Sequence, residues 1–147
     1  MKRLENKVAF VTGAGRGIGR AVAQKLAAEG ASIVINDLDE GPALDTAELI
    51  KASGGIATVI SGSLSDAEFC KYYIDQGVER FGGMDILVNM AGYTWDGMLH
   101  KLKDEQFDAM LDIHLKAPYR LLKAASPYLF EFAKKDLQAN TESYRKI

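Results

Sequence analysis

The stretch that decides the fold is VAFVTGAGRGIGRAV, residues 8–22. It opens with an almost unbroken apolar run, residues 8–12, which predicts a strand buried on both faces of a sheet. A loop with four glycines follows, and apolar residues at helical spacing then run to Gly30, a residue typical of a helix C-terminus. Strand, glycine loop and helix in this order predict the first half of a β-α-β unit.

The rest of the chain continues this alternation. Further strands are predicted at residues 31–39, 56–62 and 84–92, and residues 145–147 resemble the start of a fifth. Helices are predicted at residues 42–55, at 66–81 with Ser65 as the N-cap, and at 104–135. Such alternation implies right-handed crossovers and a parallel sheet. We therefore expect an α/β, Rossmann-type doubly wound parallel sheet that is incomplete, with four strands plus the start of a fifth, as one domain over residues 1–147.

Composition narrows the classes of partner. The 147 residues carry a formal net charge of −2 without a run of like charges, so we expect neither nucleic acid nor a membrane surface as a partner. No apolar stretch is long enough to cross a bilayer or to form a signal peptide. Cys70 has no second cysteine for an internal disulfide, and we interpret it as a thiol packed in a helix. A cytoplasmic location and no metal site are the expectations.

The glycine loop and an acid after the second strand predict a dinucleotide site. Without side chains at positions 13, 15, 17 and 19, a pyrophosphate can approach the main chain at a helix N-terminus. Asp37 lies 18 residues beyond Gly19, where a carboxylate can accept hydrogen bonds from ribose hydroxyls. It would repel a 2′-phosphate, so NAD is favoured and NADP is less favoured. Arg16 is the contrary feature, since an arginine in this loop can bind that phosphate.

With the glycine loop, Asp37 and the segment NMAG at residues 89–92, the chain resembles the short-chain dehydrogenase/reductase family, and in particular its 3-oxoacyl-(acyl-carrier-protein) reductase-like members. The resemblance implies an oxidoreductase that moves hydride between a nicotinamide cofactor and a small carbonyl or alcohol substrate, with a 3-oxoacyl or 3-hydroxyacyl thioester as one candidate. It also implies a homo-oligomer.

The resemblance carries cofactor-binding roles onto matching positions of this chain. These positions are Gly13, Gly15, Arg16, Gly17, Ile18, Gly19, Asp37, Ser63, Leu64, Asn89, Ala91 and Gly92. Leu64 is expected against the adenine, beside Ser63, where the family often has an acid. Asn89, Ala91 and Gly92 are expected to border the cofactor, whereas Met90 replaces a usual asparagine and is expected only to pack.

His114 is the main departure from the family pattern. The family commonly has an asparagine here that anchors a water in a proton relay, and an imidazole can also hold a water or move a proton. Pro118 lacks an N–H, which would leave the His114 carbonyl free and bend the helix. A core histidine beside a tolerated proline remains the alternative. Helical spacing predicts one shared face for Phe107, Leu111, His114, Pro118, Leu121, Ala125 and Tyr128.

The family's catalytic serine and Tyr-x-x-x-Lys have no convincing match. Tyr144 and Lys146 are two residues apart, which puts them on different faces of a helix. Tyr119 and Lys123 have the spacing, but they lie inside the long helix without a preceding serine strand, and we regard the match as chance. The chain is therefore expected to supply the cofactor site and to be inactive alone. The alternative is a non-catalytic nucleotide-binding module, or a truncated product that assembles with another chain.

Overall fold

The computed structural model describes residues 2–141 and 143–147, so Met1 and Glu142 lie outside the described residues. Strands and helices alternate as predicted, although each strand is shorter than expected. The elements are β1 Val8–Val11, α1 Gly17–Ala28, β2 Ser32–Ile35, α2 Glu40–Ala52, β3 Ile56–Val59, α3 Ala67–Phe81, β4 Ile86–Val88, a 3-10 turn Leu99–Lys101, α4 Asp104–Leu111, a π turn Asp112–Lys116 and α5 Ala117–Gln138.

The four strands form one parallel sheet in the order β3-β2-β1-β4. β1 is central and all four of its residues are buried, which explains its unbroken apolar run. Strand geometry points alternate side chains to opposite faces, so Phe10 joins the core on one side of the sheet and Val11 joins the core on the other. The predicted doubly wound α/β architecture is confirmed.

The two faces of the sheet are packed with residues of different size. Toward α1 and α2, eight of the twelve buried core residues are alanines. Toward α3 and α5, the buried core holds larger side chains, and Phe10 meets Tyr73 edge to face at 5.5 Å. Small residues let α1 lie close to the sheet, which places its N-terminus beside the ends of the strands.

The predicted helix over residues 104–135 is interrupted, and that prediction is wrong in detail. The amide of Ala117 donates to the carbonyl of Asp112, five residues back, which defines the π turn. Because the wider turn accommodates an extra residue, it changes the direction of the side chains before it. Leu121 and Ala125 are buried, but Phe107 is 55% exposed and His114 is also exposed, so the predicted single face does not join them. α5 ends at Gln138, three residues beyond the predicted end.

Helix α3 differs from its prediction at the cap. Asp66, not Ser65, is the N-cap, because its side chain accepts the amide proton of Glu68 at 2.9 Å. Within the helix, Cys70 is fully buried, and its thiol donates to the carbonyl of Leu64 at 3.2 Å. Burial raises the pKa of the Cys70 thiol to about 11. The interpretation of this cysteine as a packed thiol is therefore confirmed.

The end of the described chain pairs with the free edge of β4. Lys146 forms a single parallel bridge with Ile86. The amide of Leu87 donates to the carbonyl of Lys146 at 3.0 Å, and the amide of Lys146 donates to Asp85 at 2.9 Å. The predicted start of a fifth strand is thus present as one bridge. Within the described residues, no helix combines the length and apolar character needed to span a bilayer.

Candidate functional site

A cavity of about 770 Å³ opens at the carboxyl ends of the strands. The chain passes from β1 to β2 and β3 in one direction, and β4 then lies on the other side of β1, so a crevice forms where the order reverses. The loops after all four strands line this crevice, together with Ile113 of the π turn. Of the predicted site residues, all except Gly15, Asn89 and His114 are in the lining. Its volume is in the range typical of small-molecule sites.

Bare backbone is required in the glycine loop. A Cβ at Gly13, whose φ is +58°, would lie 2.7 Å from the Cα of Ala91. A Cβ at Gly19 would lie 2.1 Å from the carbonyl oxygen of Gly13. The loop therefore folds tightly between the β4 loop and the start of α1, and side chains at these two positions would force it open.

The N-terminus of α1 offers hydrogen-bond donors at the cavity. Its N-cap, Arg16, has an extended backbone and makes no side-chain cap bond, and the first turn contains no acid. Gly17, Ile18 and Gly19 all line the cavity. Helix N-termini leave amide groups without intrahelical acceptors and carry positive dipole potential, so this end of the cavity suits an anion.

Asp37 is fixed at the end of β2 by two main-chain donors. Its Oδ2 accepts the amide proton of Gly15 at 2.8 Å, and its Oδ1 accepts that of Asp39 at 3.1 Å. A Cβ at Gly15 would lie 2.6 Å from Oδ2, so a side chain at this position would displace the carboxylate. Gly15 itself is not part of the cavity lining. Each carboxylate oxygen retains a lone pair, so Asp37 can still accept hydrogen bonds from a ligand.

Arg16 and Asp39 form an ion pair beside this carboxylate. The Nη1 of Arg16 lies 2.9 Å from the Oδ2 of Asp39, and the two side chains are 64% and 55% exposed. Among the described residues that line the cavity, Arg16 is the one cationic side chain, against Asp37 and Asp39 as acids. The local charge at this end of the cavity is therefore negative.

The loop after β3 forms the next wall. Ser63 is exposed, and its hydroxyl accepts the amide proton of Ser65 at 3.3 Å, while Leu64 is 4% exposed and packs into the core. Asn36, which sequence reasoning missed, is buried and donates from its amide to the carbonyls of Ile60 and Gly62 at 3.1 and 3.2 Å. The sequence feature that could have identified Asn36 is its position as a polar residue directly after an apolar strand.

Thr12, also missed, holds the loop after β4 against the glycine loop. Its buried hydroxyl accepts the amide protons of Met90 and Ala91 at 3.0 and 3.1 Å. Met90 lines the cavity as well as packing against the core, whereas Asn89 is exposed and outside the lining. The expectation that Met90 would only pack is therefore wrong.

His114 contacts the same loop from the π turn. Its Nε2 lies 2.8 Å from the carbonyl oxygen of Tyr93, and because a carbonyl can only accept, Nε2 carries the proton. The ring lies against Gly92, where a Cβ would stand 2.6 Å from Cε1. His114 is exposed, so the alternative of a core histidine is wrong. Its part in a proton relay remains a prediction.

Neither tyrosine–lysine pair lines this cavity. Tyr119 and Lys123 border a separate groove of about 600 Å³ between α3 and α5. Tyr144 lines a small depression against the end of α5, and Lys146 lies in the bridge to β4. Among the described residues, those that line the cavity therefore include no tyrosine–lysine pair.

The sequence model of the family described as short chain dehydrogenase matches residues 7–136. Because the match covers most of the chain, the protein belongs to the short-chain dehydrogenase family. The glycine loop, Asp37 and the loop after β4 all fall within the matched residues.

Two curated relatives illustrate the similarity in sequence. A 3-oxoacyl-(acyl-carrier-protein) reductase of Staphylococcus aureus is 38% identical over 124 residues, which are 84% of this chain and 50% of the relative. An uncharacterized oxidoreductase of Thermotoga maritima is 41% identical over 122 residues, 82% of this chain and 47% of the relative. The chain thus spans about half the length of the curated relatives it matches.

Solved structures share the fold. A metagenomic short-chain oxidoreductase in complex with NADP is 38% identical with a TM-score of 0.82, over 86% of this chain and 57% of that one. Carveol dehydrogenase from Mycobacterium avium in complex with NAD is 34% identical with a TM-score of 0.84, over 89% and 52%. The same architecture therefore accompanies either dinucleotide in these neighbours.

Proposed function

We propose that this chain supplies the nicotinamide dinucleotide site of a short-chain oxidoreductase. The observation that carries the proposal is the convergence of the α1 N-terminus and the Asp37 carboxylate on one cavity at the switch point of the sheet. A free helix N-terminus suits a pyrophosphate, and a carboxylate at the end of the second strand suits a ribose. The two features lie on one surface, as a dinucleotide requires.

The residues present fit such a cofactor. The α1 N-terminus with Gly13 and Gly19 would hold the pyrophosphate, and Asp37 would hold the adenosine ribose. Ser63 and Leu64 would border the adenine, whereas Ala91 and Gly92 would border the nicotinamide half. When bound, the cofactor supplies a hydride acceptor or donor, and the chain's own contribution is to bind and orient it.

NAD is the proposed form of the cofactor. Two carboxylates and one arginine line the adenosine end, and that arginine is paired with Asp39. A 2′-phosphate would meet this net negative charge, whereas ribose hydroxyls would meet hydrogen-bond acceptors. The solved neighbours hold either form and so do not favour one of them. The proposal of NAD depends on the charges around Asp37 in this chain.

Calorimetric titration of the purified chain with NADH and NADPH tests the proposal. We expect NADH to bind, and Asp37→Ala to weaken it by about tenfold or more, because a charged acceptor for ribose hydroxyls is lost. Asp45→Ala on the exposed side of α2 is the matched control and should leave the affinity unchanged. Absence of NADH binding to the folded wild-type chain would overturn the site assignment.

The proposed reaction is hydride transfer to a carbonyl or from an alcohol, with a 3-oxoacyl thioester as the candidate substrate by likeness to the Staphylococcus aureus reductase. We expect the described chain to bind the cofactor without turnover, because neither tyrosine–lysine pair lines the cavity. NADH oxidation followed by absorbance with acetoacetyl-coenzyme A checks this expectation. Rapid turnover by residues 1–147 would contradict it.

A second candidate is a nucleotide-binding module that assembles with another chain. The outer edge of β4 supports it, since Lys146 makes the one parallel bridge seen there in the described residues. Edges with unpaired backbone groups can accept a further strand from a partner. Light scattering combined with the NADH-oxidation assay tests this candidate. Either candidate is compatible with a homo-oligomer, whereas a monomer that turns over substrate would exclude the module.

A further inference from the structure

We propose that Thr46 and Arg20 are positioning residues that hold the Asp37 carboxylate in place for a ribose, by acting through Gly15. Thr46 lies in α2 and Arg20 in the first turn of α1, and both are outside the cavity lining. They therefore act on the cofactor site through the main chain of the glycine loop. The inference rests on the proposed function, because the ribose is that of the proposed cofactor.

Thr46 carries a buried hydroxyl between α2 and the glycine loop. The residue is 0% exposed, and its Oγ1 lies 2.9 Å from the carbonyl oxygen of Ala14. The same oxygen accepts the Nε proton of Arg20 at 2.9 Å. The carbonyls of Gly15 and Pro42 are farther away, at 3.3 and 3.1 Å. Because a hydroxyl has one proton to donate, its shortest carbonyl contact, to Ala14, is the hydrogen bond that we assign.

The Arg20 guanidinium binds the next carbonyl of the loop. Its Nη2 donates to the carbonyl of Gly15 at 2.5 Å, while its Nε donates to the Thr46 hydroxyl. The donors of a guanidinium form a rigid planar fork, so each of these contacts fixes the direction of the other. The two peptide groups that flank the Cα of Gly15 are therefore both held, one through the carbonyl of Ala14 and the other through that of Gly15.

Peptide planarity transmits this restraint to Asp37. The carbonyl of Ala14 and the amide of Gly15 belong to one planar trans peptide group, in which they point in opposite directions. Thr46 binds the carbonyl, and the Oδ2 of Asp37 accepts the amide proton at 2.8 Å, so the plane is held from both sides. Since glycine allows a wide range of backbone angles, the orientation of this amide depends on such contacts.

Thr46→Val and Thr46→Ser separate the hydroxyl from the packing. Valine keeps the branched shape and loses the hydroxyl, whereas serine keeps the hydroxyl and loses a methyl group, and all three residues have similar helix propensities. We expect calorimetry to give a Kd for NADH about five- to tenfold higher in Thr46→Val and within about twofold of wild type in Thr46→Ser. Thr58→Val, on β3 outside the cavity lining, is the matched control and should leave the Kd unchanged.

Arg20→Lys separates the fork from the charge. A lysine ammonium keeps the positive charge but cannot reproduce two donors in one rigid plane. We expect the Kd for NADH to rise about threefold or more. A wild-type Kd in Arg20→Lys would show that a positive charge suffices and would contradict the positioning role of Arg20.

Two further measurements test the route through Gly15. In the Asp37→Ala background, Thr46→Val should change the Kd for NADH by less than about twofold, because the carboxylate that it positions is gone. In the chain without cofactor, hydrogen exchange of the Gly15 amide, followed by NMR, should be faster in Thr46→Val than in wild type or Thr46→Ser. Thermal unfolding establishes that each variant is folded at the temperature of both measurements.

The role of Thr46 and the proposed function fail in different ways. An unchanged Kd for NADH in Thr46→Val, a larger loss in Thr46→Ser, or a full effect of Thr46→Val without the Asp37 carboxylate would overturn the positioning role while wild-type NADH binding stands. If the folded wild-type chain does not bind NADH, the proposed function fails, and the role toward a ribose fails with it. Unchanged exchange at Gly15 in Thr46→Val would contradict the restraint itself.

Discussion

Gly92 and His114 occupy adjoining space, so each constrains the other. A Cβ at Gly92 would lie 2.6 Å from Cε1 of a ring that is hydrogen-bonded to Tyr93. We expect Gly92→Ala to lower the free energy of unfolding by about 0.5–1.5 kcal/mol, because the exposed His114 ring must turn away from the added Cβ and lose its hydrogen bond to Tyr93. Urea unfolding followed by circular dichroism measures it.

Two variants make this a test of the contact. His114→Ala in the Gly92→Ala background should restore part of the lost stability, with a coupling energy of about 0.5–1 kcal/mol. Gly83→Ala is the control, because its added Cβ would meet Val8 at an ordinary 3.8 Å. Additive effects of the Gly92 and His114 substitutions would show that the two residues do not share space in solution.

Cys70 should be unreactive in the native state. Its pKa of about 11 lies above the usual range because burial disfavours the thiolate, so at pH 8 roughly one thiol in a thousand is ionised. We expect Ellman's reagent to label the native chain far more slowly than the urea-unfolded chain. Labelling at equal rates would contradict the buried position.

Sequence reasoning recovered some site residues and missed others for a physical reason. The glycines and Asp37 were predictable because their roles depend on spacing within one β-α-β unit. Thr12 binds a main-chain amide in the loop after β4, 78 residues away, and Asn36 binds a main-chain carbonyl in the loop after β3, 24 residues away. Such roles depend on which strands become neighbours, and local patterns do not contain that information.

At the scale of elements, Gly77 lets α3 pack against the sheet. Alanine normally stabilises a helix relative to glycine by about 1 kcal/mol, but a Cβ at Gly77 would lie 2.2 Å from Cε1 of the fully buried Phe10. Phe10 is held edge to face by Tyr73. Overpacking should therefore outweigh helix propensity, and we expect Gly77→Ala to destabilise the chain by about 1–2 kcal/mol.

Gly41→Ala is the matched control for Gly77→Ala. Gly41 also lies in a helix, α2, but an added Cβ would meet nothing within 4 Å. Propensity then acts alone, and a gain of up to about 1 kcal/mol is expected in the same urea titration. If both glycine variants gain stability, the close contact of α3 with Phe10 is absent in solution.

The elements were predictable in type and order, but their interruptions were not. Strong apolar runs and caps identified four strands and the helices between them. Pro118 indicated an irregularity in the long helix, but the lack of its backbone N–H donor is compatible with a kink, a break or a π turn. Ile113 within the π turn and Leu121 after it both pack into the core, and such long-range contacts are not specified by the local sequence.

For the whole molecule, cofactor binding should appear as added stability. NADH at 100 times its Kd is expected to add about 2.7 kcal/mol to the free energy of unfolding. For a domain of this size the melting temperature should rise by roughly 5–11 °C. Asp37→Ala at the same NADH concentration should shift less. An unchanged melting temperature at saturating NADH would contradict binding to the folded state.

The contrast between the two faces of the sheet has a consequence for how this chain tolerates change over generations. On the α1 and α2 side, eight alanines leave no smaller side chain except glycine and no room for a larger one. On the α3 and α5 side, aromatic, aliphatic and sulfur-containing side chains can exchange volume with one another. Amino-acid substitutions should therefore accumulate slowly in the core on the face that carries the glycine loop. They should accumulate faster in the core on the opposite face of the same sheet.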